Sequence, residues 1–174
     1  MRGLKLIQHI KANADRMSDG LIHQIMNSER CSELLLRVPA DEHKRYALGI
    51  YRDLIDWLAV EIDSVIECRY VDLGIQREQQ GVPFSDAVWA VCIAREYLWE
   101  YMQQERLLEE PVEFWGGATL LHSLNQFFDR ALYFTLLGYQ RAGEGELAPA
   151  PAAFAAPAPP FVPSGSQKPR PTPP

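Results

Sequence analysis

Ten of the thirteen prolines fall between residues 143 and 174, and only Pro39, Pro83 and Pro111 precede them. Proline locks φ and removes a backbone donor, so a stretch this rich in it joins neither a helix interior nor a sheet ladder. The segment reads GEGELAPAPAAFAAPAPPFVPSGSQKPRPTPP. Its composition predicts a disordered, semi-extended Pro/Ala-rich tail of polyproline II character. Such a tail serves as a spacer or, through PAPP and PRPTPP, as a ligand for an aromatic groove. The folded unit is then residues 1–142, a length that suits one domain.

Within 1–142 no apolar alternation of period two is bounded by turn signals, so strands are not expected. Helical spacing recurs instead. Leu6, Ile10, Leu21 and Ile25 predict a long first helix, bent near Asp19-Gly20. CSELLLRV predicts a short helix stopped by Pro39. Asp41 is expected to cap the next helix, whose Tyr51, Leu54, Ile55, Leu58 and Ile62 follow a three-four rhythm. Another helix runs through Ile62, Ile66 and Leu73, and two more cover about 85–108 and 112–141. The reading is an all-α bundle of about five to six helices.

Charge and cysteine usage narrow the function classes. The formal net charge is -6 and the pI is about 5.2, a poor match to nucleic acid or to an anionic membrane surface. Apolar residues make up 47 % of the chain, enough for a sizeable core. No apolar run approaches the roughly 20 residues that span a bilayer, and the N-terminus gains charge too soon for a signal peptide. Cys31, Cys68 and Cys92 show neither CxxC nor zinc spacing and are expected as buried thiols of a cytoplasmic protein.

The segment RYVDLGIQREQQGVPFSDAVWA, 69–90, carries the densest local signals. Gly81 suits a helix C-terminus that needs positive φ, and Pro83 forbids continuation. Ser85 is the expected N-cap of the next helix. Phe84 and Trp89 then stand at N′ and N4, the spacing of a hydrophobic staple. The segment is thus a corner between two helices. Arg69, Leu73 and Arg77 lie four apart and share one side of the first of them. The two arginines are expected to pair with carboxylates such as Asp72, Glu96 or Glu100; alternatively they bind an anion or small ligand.

The run RYVDLGIQREQQGVPFSDAVWAVCIAREYLWEYM resembles the N-terminal domains of RsbR-type stressosome proteins, a domain that also precedes some sensor histidine kinases. FFDRALYFTLLGYQ, 127–140, resembles the last helix of that domain. The resemblance covers most of 1–142. It implies a globin-like fold without haem, a homodimer, and a role in signal input. In that family an output module, such as a STAS domain or kinase, follows the last helix; here the Pro/Ala-rich tail stands in that place. The resemblance therefore implies output through a partner such as a kinase or STAS protein.

Catalytic chemistry is not written in the spacing. His9, His23, His43 and His122 form no metal motif, and no nucleophile–histidine–carboxylate arrangement emerges. His122 lies in an apolar helix and is the one histidine to weigh as a haem ligand or phosphoacceptor. LLHSLNQFF lacks both the acidic residue and Arg-Thr-Pro run that resemble a kinase phosphoacceptor site and the His-x-x-Lys-Gly sequence of phosphotransfer helices. The chain is accordingly read as a non-enzymatic module without a cofactor. A small-molecule- or haem-binding receptor is the alternative.

The last helix carries one apolar stripe through Leu120, Leu124, Phe127, Ala131, Phe134 and Gly138, and a second through Leu121, Phe128 and Leu132. So wide an apolar arc is expected to need a second subunit as well as its own core. Leu120, Leu124, Phe127, Ala131 and Phe134 are thus the candidate dimer interface. Gly116-Gly117 is expected to mark a break or a close helix approach.

Overall fold

The computed structural model describes residues 2–60, 63–107 and 114–144. They form α1 (Arg2–Met26), a 3-10 turn (Glu29–Cys31) leading into α2 (Ser32–Arg37), α3 (Ala40–Val60), α4 (Asp63–Gln79), α5 (Phe84–Gln104) and α6 (Phe114–Gly143). Among these residues the fold is all-α, with six helices and no strand. The chain from 145 onward, where the Pro/Ala-rich tail is expected, lies outside the described residues, as does Ile62.

Helix α6 is the axis of the bundle. It lies along α4 and also meets α5, α3 and α1. Leu124, Phe127, Phe128 and Ala131 of α6 are buried among Ile10, Met17 and Leu21 of α1, Tyr51, Leu54 and Trp57 of α3, and Val91 and Leu98 of α5. The rings of Phe127 and Phe128 meet edge-on at 5.1 Å, and Tyr70 of α4 packs edge-on against Phe127 at 6.1 Å. One face of each amphipathic helix supplies this core.

The α4–α6 contact is the tightest in the molecule. A Cβ on Gly74 would overlap the Thr135 carbonyl oxygen and lie 3.0 Å from Gly138 Cα. A Cβ on Gly138 would overlap the Val71 carbonyl and lie 2.9 Å from the Ile75 nitrogen. The two backbones therefore touch directly, which only residues without a side chain permit. The Asp63–Arg130 ion pair and the Gly74–Gly138 crossing show that the two helices run in the same direction.

Several boundaries differ from the sequence reading for local reasons. α1 runs unbroken through Asp19-Gly20, and Gly20 makes room for the Tyr97 hydroxyl of α5. Asp41 is inside the first turn of α3 rather than capping it, because the helix already starts at Ala40, just after Pro39. α6 passes through Gly116-Gly117 without a break. α5 ends at Gln104, where Leu107 N–H donates to the Met102 carbonyl and Arg106 adopts φ 53°. This is a Schellman closure with arginine at the left-handed position, where glycine is usual.

Candidate functional site

Helices α3 and α4 are sequence neighbours, yet they scarcely meet along their backbones. A cleft lies between them. Two ion pairs span it: Glu42 of α3 with Arg77 of α4 at 2.9 Å, and Asp53 of α3 with Arg69 of α4. The low-numbered end of α3 faces the high-numbered end of α4, so the pair is antiparallel. On α3 the cleft takes Glu42, Tyr46, Gly49 and Asp53, spaced at four, three and four residues, which is one helical face. On α4 it takes Arg69, Leu73 and Gln76 by the same rule.

The Arg77 end is the more buried. Arg77 is 5 % exposed and donates to Glu42 Oε2 at 2.9 Å and to Gln80 Oε1 at 2.6 Å. Gln76 and Gln80 also donate to Glu42. A buried guanidinium needs such a partner, since removing one member strands the other charge at about 3–5 kcal/mol. The hydrogen bonds from Arg77 and Gln80 hold the Glu42 carboxyl below its usual range. Beside it, His43 is pushed down by burial and by the Arg77 charge. His43 hydrogen-bonds the Val38 backbone through one nitrogen, while its Nε2 is buried without a partner.

The Arg69 end is looser. The Arg69 side chain is 43 % exposed and reaches Asp53 and, at 3.6 Å, Asp56. Asp53 is buried and depends on Arg69 for its charge partner, whereas Asp56 is exposed and its more distant pairing contributes about 1 kcal/mol or less. Between the two ends the cleft has two lobes of about 220 and 130 Å³. Tyr46 and Leu73 line both lobes, and both also line a small interior cavity of about 20 Å³ next to His43. The hydroxyls of Tyr46 and Tyr70 are buried and have no hydrogen-bond partner in the protein. Burial pushes both phenols well above their ordinary range, so both hydroxyls keep their protons and their ability to donate.

Arg69 and Arg77 thus face one cleft, but not the carboxylates expected from the sequence. Their partners are Glu42, Asp53 and Asp56 of α3 rather than Asp72, Glu96 or Glu100. The α3 half of the site escaped sequence reading because Glu42 and Asp53 alternate with core residues Ala47, Ile50 and Leu54, and so look like an ordinary solvated edge.

The corner at 79–84 is a helix stop and restart with different details. Gly81 has φ 71°, with Gly81 N–H donating to Glu78 O and Val82 N–H to Arg77 O, a Schellman motif. Ser85 is not the N-cap. The helix begins two residues earlier than that cap implies, at Phe84, after an extended Pro83, and no side chain caps it. Ser85 Oγ instead donates to Asp86 Oδ1 at 3.3 Å. Phe84 and Trp89 do not form the expected staple. Phe84 packs edge-on against Tyr139 at 5.2 Å, and Trp89 lies under the Arg30 guanidinium at 4.3 Å. The capping residue here is Asp86, and it serves another helix: its Oδ2 accepts from the Glu33 and Leu34 amides at the start of α2.

The candidate dimer residues also need correction. Leu124, Phe127 and Ala131 are buried in the protein's own core, and Leu120 and Phe134 pack against it half-buried. The wide apolar arc is covered by α1, α3, α4 and α5 together, because α6 is central rather than peripheral. Large apolar side chains exposed on α6 are Tyr133 and Leu136. His122 is on an exposed face of the same helix, away from the cleft. Of the cysteines, Cys31 is buried and Cys68 is exposed. Among the described residues no cluster of three His, Cys, Asp or Glu side chains could hold a metal, and no helix is long and apolar enough to cross a membrane.

No family model, curated protein or solved structure matches this chain.

Proposed function

We propose that this domain is a non-enzymatic signal-input module that acts through a partner protein such as a kinase or STAS protein. The observation that carries the reading is the unequal packing of α4. On one side α4 is fused backbone-to-backbone with α6 through Gly74 and Gly138. On the other it meets α3 across a cleft bridged by side-chain ion pairs. Close-packed contacts move as a unit; the buried Arg77–Glu42 bridge holds one end of the cleft, whereas the half-exposed Arg69, which reaches both Asp53 and Asp56, is the bridge that can re-pair, so in this reading α3 shifts against α4 at that end. The likeness to stressosome sensor domains supports the same reading, since signal input is what that resemblance implies.

The test is calorimetric titration of the full chain with the kinase or STAS protein encoded beside its gene. Binding with a Kd of about micromolar or tighter is expected. Absence of binding to any such protein refutes the proposal. Homodimerisation is a separate proposal, now without Leu124, Phe127 and Ala131 as its contacts, and sedimentation of the parent decides it.

A further inference from the structure

Beyond Glu144 the sequence continues through residues 145–174, and α6 delivers that segment to one end of the α3–α4 cleft. α6 runs parallel to α4. Near its end, Tyr139 donates its hydroxyl to the Val82 carbonyl, and Val82 N–H donates in turn to the Arg77 carbonyl. The segment therefore starts beside the Arg77 end of the cleft. Four residues of extended chain, from Glu144 to Ala148, reach about 13 Å, enough to pass around one helix of about 10–12 Å diameter.

The residues that come next, Ala148-Pro-Ala-Pro-Ala-Ala153, match the cleft in length, width and hydrogen bonding. From Glu42 to Asp53 the α3 wall is about 16 Å long at the helical rise, which five to six polyproline II residues cover at about 3.1 Å each. Ion pairs join the walls at both ends. The lobes of about 220 and 130 Å³ admit alanine and proline side chains but no helix. The carboxylates of the cleft are taken, Glu42 by Arg77, Gln76 and Gln80, and Asp53 by Arg69. Its exposed cations keep spare donors. A guanidinium carries five N–H groups. Arg45 meets Asp41 through Nη2 alone, and Arg69 meets Asp53 and Asp56 through Nη1 alone. Their side chains are 71 % and 43 % exposed, so these donors are within reach of a chain lying in the groove. A proline-rich strand is the complement, because its carbonyls accept while its prolines bring no N–H to satisfy. Being uncharged, Ala148–Ala153 displaces no paired group. Leu73 and Ile50 offer apolar surface to the rings, and a Cβ at Gly49 would meet no atom within 4 Å, so the α3 side is open.

We propose that Ala148–Ala153 occupies the α3–α4 cleft of its own chain as an extended strap, its carbonyls accepting from Arg45 and Arg69. The covalent tether supplies an effective concentration of about millimolar, so contacts that are weak one by one suffice. The strap crosses the Arg69 end, where the bridge re-pairs between Asp53 and Asp56, and holds α3 and α4 at one spacing until it is displaced. Such a strap needs no partner protein, so it stands or falls apart from the signal-input reading.

The test is paramagnetic broadening in the full chain. A nitroxide is attached at Ala152→Cys, with Cys68 and Cys92 replaced by serine and the buried Cys31 left in place. The backbone amide resonances of Gly49, Leu73 and Gln76 should lose most of their intensity, while that of His122, on the exposed face of α6, keeps its own. Gly49→Leu fills the open side of the smaller lobe and should remove the broadening. Ala150→Trp brings a ring too large for that lobe and should remove it as well. Residue 150 lies beyond α6, so this second variant leaves the helical core untouched. Intact resonances at Gly49, Leu73 and Gln76 overturn the strap, as does broadening that survives both substitutions. Broadening centred on Tyr133 and Leu136 would place the segment on the outer face of α6 and overturn the cleft as its site. A sample mixing spin-labelled chains with isotopically labelled, nitroxide-free chains should show no broadening. Broadening there would mean that the segment reaches a second copy, and the strap within one chain would be overturned.

Discussion

Replacing Gly138 or Gly74 by alanine tests the α4–α6 contact by the sign of the stability change. In a helix interior, alanine is more favourable than glycine by about 0.8–1 kcal/mol, so a site with room gains stability. Here there is no room. The new Cβ at Gly138 would overlap the Val71 carbonyl and sit 2.8 Å from Gly74 Cα. At Gly74 it would overlap the Thr135 carbonyl. These neighbours are backbone atoms, which cannot rotate aside as a side-chain tip does. The helices must separate, and overpacking of this kind costs about 1–3 kcal/mol, with rigid neighbours placing it at the upper end. Net destabilisation of about 2 kcal/mol follows, a fall in Tm of roughly 4–8 °C for a domain of this size. Gly49→Ala is the internal control, because nothing lies within 4 Å of its Cβ. It should raise Tm by roughly 2–4 °C through propensity alone. Thermal melts followed by circular dichroism read all three. If Gly74→Ala and Gly138→Ala stabilise as Gly49→Ala does, the helices are not in backbone contact and the rigid α4–α6 unit is refuted.

Three further outcomes are expected. Ser85→Ala should leave stability within about 0.5 kcal/mol because its hydroxyl caps nothing, whereas Asp86→Ala should cost about 1–2 kcal/mol by freeing the Glu33 and Leu34 amides, both read from urea midpoints. Phe127, at 0 % exposure, is core, so Phe127→Ala should cost about 3–5 kcal/mol and Phe127→Asp should unfold the domain at any protein concentration; a folded Phe127→Asp monomer from a dimeric parent would restore the interface reading. His43 is held below its ordinary pKa, so the unfolded chain takes up its proton first on acidification. The stability it contributes is present above about pH 6.5 and is lost as the pH falls through the lowered folded value, so His43→Gln should flatten the urea midpoint across that window; an unchanged pH slope would show that His43 is not the group responsible. The lowered Glu42 carboxyl acts separately: its contribution is present above about pH 4.3 and is lost only below it.

The all-α class, the helix order and the stop at Gly81 were legible because periodicity and glycine–proline punctuation are local signals. The role of α6 was not. Leu124, Phe127 and Ala131 carry the same pattern whether a helix is covered by a second chain or by four helices of its own, and only the tertiary arrangement separates the two. The Ser85 cap was misplaced by two residues, because the helix starts directly after Pro83 with no side-chain cap at all. The role of Asp86 was not legible either, because its carboxylate serves α2, some fifty residues away in sequence. The shared side of Arg69 and Arg77 was legible on α4, but their partners on α3 depend on which helix lies opposite, which spacing within α4 does not encode.

The most direct measurement is a pair of spin-label distances, recorded with and without the kinase or STAS partner. One label pair, at Arg52→Cys and Asp72→Cys, reports α3 against α4; the other, at Asp72→Cys and Gln140→Cys, reports α4 against α6, and all three positions are exposed. Cys68 and Cys92 are first replaced by serine, leaving the buried Cys31. Partner binding should change the α3–α4 distance and leave the α4–α6 distance as it was. An unchanged α3–α4 distance at saturating partner, or an equal change in both, would contradict a signal carried by movement across the cleft.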